Sequence, residues 1–309
     1  MTKSCKCNVG LANTRLPNGC QHIGKVTERL IFTHYFDADG EVKKLDLSTF
    51  TGTQAEFDAL TNAAAKTNRW FPIEKKFENV ETGRSESTFD EFDSGLKFFV
   101  QRGIKSFAGL LPETANGLIT FFNTAKCVDL GVYLVDSEGN LIGNGDEYGF
   151  LKPLRIARGT LDAMEVAAKD KNVQRIAVKF EFDEAEEDED IMMVEAGELT
   201  ANVKTLRGLM DADGYFTSIT DETFDVEIYT PYGTAKNRLL VTGLVIGDFT
   251  LLDNDGVPIT ITSVTESPTK LGKYSFVYPT QTSGDKLKLT FEKTGYDSTN
   301  LGATTILIP

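Results

Sequence analysis

RLLVTGLVIGDFTLLDNDGVPITITSVTESPTKLGKYSFVYPTQTSGDKLKLTFEKTGYD, residues 238–297, decides the fold class of the C-terminal part of this chain. Within it RLLVTGL, FTLLDNDG, ITITSVTE, KYSFVYP and KLKLTFE follow one another at close spacing. Each run is rich in β-branched and aromatic residues and too short for an ordinary helix, so each reads as a strand. Asp255-Gly256, Ser283-Gly284 and Thr294-Gly295 separate them as turns. FDVEIYT on one flank and TTILIP on the other extend the series to seven strands. This pattern predicts an all-β sandwich over residues 209–309, with Asp211-Ala-Asp213-Gly214 as the hinge that introduces it.

Upstream, residues 1–208 have a different texture and predict an α+β domain of one sheet and about three short helices. Leu30, Phe32, His34 and Phe36 share one parity of a strand. Asp37-Ala-Asp39-Gly40 turns it and VKKLDL resumes it. His34 reads as an ordinary strand residue, since no second His or Cys is near it in sequence. Thr53 and Glu56 form a capping box for a helix whose stripe is Phe57, Leu60 and Ala64, with Pro72 as the stop beyond Trp70-Phe71. Two strands are then expected on either side of an extended loop around Thr82–Ser87. A second helix is expected to open at Pro112 and carry Leu118, Ile119 and Phe122 inward, although Gly117 weakens it. CVDLGVYLV, the turn Asp136–Gly139 and NLIGNG predict a hairpin. Thr160, Leu161, Met164 and Ala168 mark a third helix. In QRIAVKFEF, Ile176, Val178, Phe180 and Phe182 alternate with Arg175, Lys179 and Glu181 as a half-buried strand.

The formal charge is −14, from 46 acids against 32 bases, which disfavours binding to nucleic-acid phosphates. The excess of the first domain sits in one place. Glu181–Glu198 holds ten acids and no base, and includes Asp183, Glu184, Glu186, Glu187, Asp188, Glu189 and Asp190. It lacks the spacing and turn glycine of a calcium loop, and Asp211-x-Asp213-Gly214 fails the same test. Two readings of the run stay open: a solvated loop, and an anionic surface past which a polyanion slides without being captured. The four cysteines are Cys5, Cys7, Cys20 and Cys127. Cys5-x-Cys7 and Cys20-x-His22 would suit a structural zinc ion, although their one-residue spacing is tighter than zinc knuckles use. Free thiols in an N-terminal arm are the alternative. Cys127 reads as a core residue. No signal peptide or membrane span is evident, so a soluble chain kept reduced in a cytoplasm is expected. No nucleophile elbow, phosphate loop, zinc-protease or dinucleotide motif is present, and two histidines leave few candidates for a triad. No enzyme is expected.

The order of elements in residues 1–205, together with the opening CKCNVGLANTRLPNGCQHIGKVTERLIF, resembles the tail-tube (major tail) proteins of long-tailed bacteriophages. Val241–Leu244, Asp248–Leu251, Ile261–Glu266, Tyr274–Phe276 and Asp285–Tyr296 resemble a recurring immunoglobulin-like module of bacteria and phages. The first resemblance implies a sandwich or barrel with short helices that assembles with copies of itself into stacked hexameric rings. DNA would pass through the tube only as non-specific cargo, and the other partners would be tail proteins of the virion, put together in the host cytoplasm. It further implies sheets continued from subunit to subunit, an arm at Asn79–Ser94 ordered by the next ring, and the acidic segment facing the lumen. The second resemblance implies a module projecting outward. The rivals are a surface adhesin or carbohydrate-binding protein using aromatics such as Trp70 or Tyr232, a capsid decoration protein, and a hydrolase with a carboxylate pair.

Overall fold

The computed structural model describes residues 25–309 except 94, 114–116, 146–147, 170–172, 187 and 234–235. The chain is mostly β and holds several sheets. It divides into two compact units, Met1–Gly208 and Leu209–Pro309.

The first unit opens with β1 (Thr27–His34), β2 (Leu45–Asp46), helix α1 (Gln54–Thr61) and β3 (Trp70–Pro72). Next come β4 (Glu78–Arg84), β5 (Thr88–Glu91), β6 (Lys97–Gln101), β7 (Lys105–Pro112) and helix α2 (Gly117–Ala125). β8 (Leu130–Asp136), β9 (Leu141–Gly145), β10 (Phe150–Lys152) and β11 (Leu154–Arg155) follow. β12 (Asp162–Val166), β13 (Arg175–Glu181) and β14 (Ile191–Val194) complete it. One sheet has the order β2-β10-β9-β8-β1-β3, with β11 also on β8 and β14 on β9. A second sheet runs β12-β13-β7-β4, and β5 and β6 form a two-stranded ribbon.

β1 is hydrogen-bonded on both sides, to β8 and to β3. Both its faces are covered, so Ile31 and Thr33 are buried along with Leu30 and Phe32. Leu30 and Phe32 join a core with Phe107, Phe122 and Phe180, while Ile31 joins another with Phe57, Trp70 and Tyr133. β13 alternates as its sequence predicts, with Ile176, Val178, Phe180 and the following Phe182 buried and Lys179 and Glu181 exposed. The capping box is formed: the Glu56 amide donates to the Thr53 hydroxyl, and the Thr53 amide donates to the Glu56 carboxylate at 2.8 Å. α1 ends at Thr61, so Ala64 lies beyond it and is exposed rather than in the stripe. The Asp136 turn also forms, its carboxylate accepting from the amides of Glu138 and Asn140.

Several expectations are corrected. The segment Thr160–Ala168 is no helix: Asp162–Val166 is an edge strand paired residue by residue with β13, which buries Ala163 and leaves Met164 exposed. The resumption of the strand after Gly40 amounts to one bridge, Phe36 to Val42, and the short β2. Pro72 lies in a strand, and Pro112 ends β7 rather than starting α2, which begins at Gly117. Half of the loop expected around Thr82–Ser87 is strand, since β4 continues to Arg84 and pairs with β7, and only the short stretch 85–87 connects it to β5.

The second unit holds β15 (Met210–Asp211), β16 (Asp213–Thr217), β17 (Thr223–Thr230), β18 (Leu239–Leu240), β19 (Phe249–Leu252) and β20 (Pro258–Ile259). β21 (Ser263–Glu266), β22 (Lys273–Val277), β23 (Lys286–Phe291), β24 (Tyr296–Asp297), helix α3 (Thr299–Ala303) and β25 (Ile306–Leu307) follow. One sheet is β16-β17-β22-β21 with β18 on β17, and another is β20-β19-β23-β25. The two share one core. Phe276 links them, stacked on Phe224 of its own sheet at 4.7 Å and meeting Phe249 of the other edge-on at 4.8 Å. Gly256, Gly284 and Gly295 have φ of 79°, 94° and 85°, the left-handed conformations their turns require. Asp211–Gly214 is not a hinge. β15 pairs with β24, β16 pairs with β17, and Ala212 between them is fully buried.

Candidate functional site

The β5–β6 ribbon carries apolar side chains on both faces. In its antiparallel register Phe89 lies opposite Phe99 and Asp90 opposite Phe98. Neighbours along a strand point to opposite faces, so Phe98 and Phe99 project oppositely. Phe89 meets Phe99 edge-on at 6.0 Å, and Phe92 meets Phe98 edge-on at 5.3 Å on the other side. These contacts do not hide the rings. Phe89, Phe92, Phe98 and Phe99 are 55%, 54%, 55% and 62% exposed, and Leu96 and Val100 are exposed beside them. A two-stranded ribbon is marginal by itself, and a contiguous exposed apolar patch marks an interaction surface. The sequence signal was there in FDEFDSGLKFFV, where two phenylalanines spaced by acids precede Asp-Ser-Gly and an apolar run follows it. Apolar residues on both faces disguised it, because they break the alternation by which half-buried strands are recognised.

The acidic run meets the root of this ribbon and is less naked than its sequence suggests. Asp188 is paired with Arg84 at 3.0 Å, Lys105 at 3.3 Å and Arg102 at 3.4 Å. Glu184 accepts from the Gln101 side chain at 3.1 Å, and Asp183 lies 3.6 Å from Arg155. Glu186 is buried, only 4% exposed. Its carboxylate accepts from the Arg155 amide and from Asn144, both at 2.7 Å. Asp190 is half-buried at the end of the run, whereas Glu187 and the Glu189 side chain lie outside the described residues. Sequence reasoning gave the acids but not the bases of Asp188, which lie some 80 to 100 residues away along the chain.

These environments separate two carboxyls. Burial raises the Glu186 carboxyl above its ordinary 4.5, against the bonds it receives from Asn144 and Arg155. Burial also works to raise Asp188, but hydrogen bonds and charge from Arg84 and Lys105 outweigh it and hold that carboxyl below 3.8. Folded Asp188 thus binds fewer protons than the unfolded chain, so its stabilising contribution is present above pH 3.8 and lost as pH falls through its depressed value. Glu186 has the opposite sign: its contribution is present below pH 4.5 and is lost as pH rises through its raised value. On acidification Glu186 is expected to protonate first and Asp188 last. Carboxyl carbon resonances followed by NMR would check this, and an Asp188 midpoint at or above 3.8 would show that its cation cluster does not persist in solution.

The remaining candidates are dispersed. Cys5, Cys7, Cys20 and His22, the zinc set, lie outside the described residues, and among those described no cluster of His, Cys, Asp or Glu has metal-binding geometry. Cys127 is exposed in the turn after α2 instead of in the core. Trp70 is buried against Tyr133 at 4.7 Å and is closed to a glycan, while Tyr232 is exposed. A hollow of about 360 Å³ lies beside Asp37, Glu41, Lys43, Lys44, Trp70 and Tyr133. Burial pushes the Lys43 amine there down to about 8, against the pull of Asp37. Asp37 itself is engaged in the turn, accepting from the amides of Asp39 and Glu41. His34 is half-buried, and burial with the nearby Lys43 charge lowers its pKa. Among the described residues no helix is long and apolar enough to cross a membrane. Comparison with protein-family models and with curated proteins finds no match for this chain.

Proposed function

We propose that this chain is a structural virion protein whose first unit assembles with copies of itself into stacked rings forming a bacteriophage tail tube. The observation that carries this reading is the β5–β6 ribbon, which exposes six large apolar residues on a strand pair too small to be stable alone. A neighbouring copy would cover it. In this reading the arm is residues 88–101, C-terminal to most of the stretch Asn79–Ser94 that the sequence suggested. Edge strands offer the second means of assembly. β4 and β12 bound the four-stranded sheet, and β4 is mostly exposed. Both lie at sheet edges, where a strand from a neighbouring copy would pair in this reading. In this reading the second unit is an immunoglobulin-like module that projects from the tube, supported by its two antiparallel sheets around one core. The lumen wall draws on the exposed members of the acidic run, Glu184 and Asp188, and not on buried Glu186.

Negative-stain microscopy of the purified full chain tests the reading. Rings or hollow tubes are the expected result. Uniform monomers at the highest soluble concentration, with or without nucleating tail extract, would overturn it.

A further inference from the structure

The ribbon leaves the four-stranded sheet through a narrow root. The Ser85 amide donates to the Ile104 carbonyl, and the Ile104 amide donates to the Ser85 hydroxyl, both at 2.9 Å. Gly103 lies against the Ser85 carbonyl so closely that a Cβ there would fall 1.7 Å from its oxygen. Arg84 reaches out of this crossing in three directions. Its guanidinium donates to the Gly103 carbonyl at 2.8 Å, to the Glu186 carbonyl at 2.9 Å and to the Asp188 carboxylate at 3.0 Å. Both flanks of the root are held to the same acidic segment. Gln101 donates to Glu184, and Arg102 and Lys105 pair with Asp188. Arg84 and Lys105 are the well-shielded members, their side chains 17% and 13% exposed, which distinguishes this cluster from a loose surface pair.

We infer that the acidic segment is a latch on the root of the ribbon: Asp188, with Glu184 and the Glu186 carbonyl, fixes the direction in which β5–β6 projects before any partner is met. A ribbon exposing apolar groups on both faces gains from such a latch in two ways. Holding it in one pose reduces the ordering cost of association. It also restrains the ribbon from folding back on its own sheet and hiding the rings that a neighbour must reach. The latch gives the acidic run a task inside each subunit, separate from any role toward DNA. Its consequence for assembly rests on the function proposed above; its existence does not.

The test uses the full chain with Asp188→Asn, Asp188→Glu and Arg84→Met. Backbone hydrogen exchange of the unassembled protein is expected to rise about tenfold at residues 88–91 and 97–104 in Asp188→Asn and in Arg84→Met. Protection of β13 and β8 should stay unchanged, and Asp188→Glu should restore most of the loss. Trypsin cleavage after Lys97 and Arg102 should accelerate in parallel. Exchange and cleavage equal to wild type in both disruptive variants would overturn the latch whatever the assembly result. A uniform rise across the first unit would overturn it too, by showing a general stability role. If the ribbon loosens as expected but assembly kinetics of the variants match wild type, the latch stands and the assembly reading fails.

Discussion

Replacing Phe89, Phe98 and Phe99 together by serine is expected to abolish self-association while leaving the cores of both units folded. Each ring is more than half exposed in the single chain, so a covering neighbour has most of its apolar area still to bury. Full burial of such a side chain contributes about 1.5–3 kcal/mol, so the exposed share amounts to about 1 kcal/mol per ring. Three rings then carry about 3 kcal/mol per ribbon, which is about two powers of ten in an association constant. Every copy in a closed ring repeats the contact, so the critical concentration for assembly rises by at least that factor. The rings stand outside the buried clusters of the first unit, and the thermal midpoint should therefore move little. Sedimentation velocity against concentration, with microscopy on the same samples, reads the outcome. Conserving the apolar surface as Phe→Leu at all three positions should retain most assembly, since area and not aromaticity is the driving term. Serine variants that assemble at the wild-type concentration would remove the ribbon from the interface.

The particular residues involved show how far sequence reasoning reached. Most strands of the C-terminal unit were legible because their runs are short and rich in β-branched and aromatic residues, and the three turn glycines have the positive φ expected of them. RLLVTGL, however, keeps only the two-residue β18, ITITSVTE divides into β20 and β21, and β16 lies where a hinge was expected. The capping box of α1 was legible for a similar reason: its donors and acceptors lie within four residues of one another. Thr160–Ala168 misled, because Leu161, Met164 and Ala168 fit a helical stripe as well as a strand over so short a segment. Pairing of Asp162–Val166 with β13, a tertiary event, decided between them. The candidate site was the least legible part. An acidic run advertises charge, yet what Asp188 does depends on Arg84, Arg102 and Lys105, brought to it by β4, β7 and the ribbon between them. The burial of Glu186 could not be read locally, since nothing in EAEEDED distinguishes it from its neighbours.

The largest effect on folding is expected from Phe32→Ala. Phe32 is wholly buried at the centre of β1 and meets Phe121 at 6.0 Å and Phe122 at 5.8 Å on α2. It also meets Phe180 of β13 edge-on at 6.1 Å, and Phe180 in turn stacks on Phe107 of β7 at 5.0 Å. One side chain thus joins the larger sheet, the helix and the four-stranded sheet. Truncation leaves a cavity bounded by three rings on two separate elements, α2 and β13, which cannot both move inward to fill it. A cost of about 3–5 kcal/mol is expected, toward the upper end because such a site collapses poorly. For a unit of this size that corresponds to a fall of about 10 °C in its midpoint. Phe32→Leu, which keeps much of the volume, should cost about 1.5 kcal/mol or less. Calorimetry distinguishes the units, because Phe32 belongs to a core of the first and has no place in the core of the second. Only the transition of residues 1–208 should move. An equal displacement of both transitions would mean that the units unfold as one cooperative body. A loss below about 1 kcal/mol would mean that the sheets and α2 do not meet through this ring. Assembly should mask part of the penalty by mass action, since association draws on the folded state alone. The full effect is therefore expected in the serine-substituted ribbon background, where the chain remains monomeric.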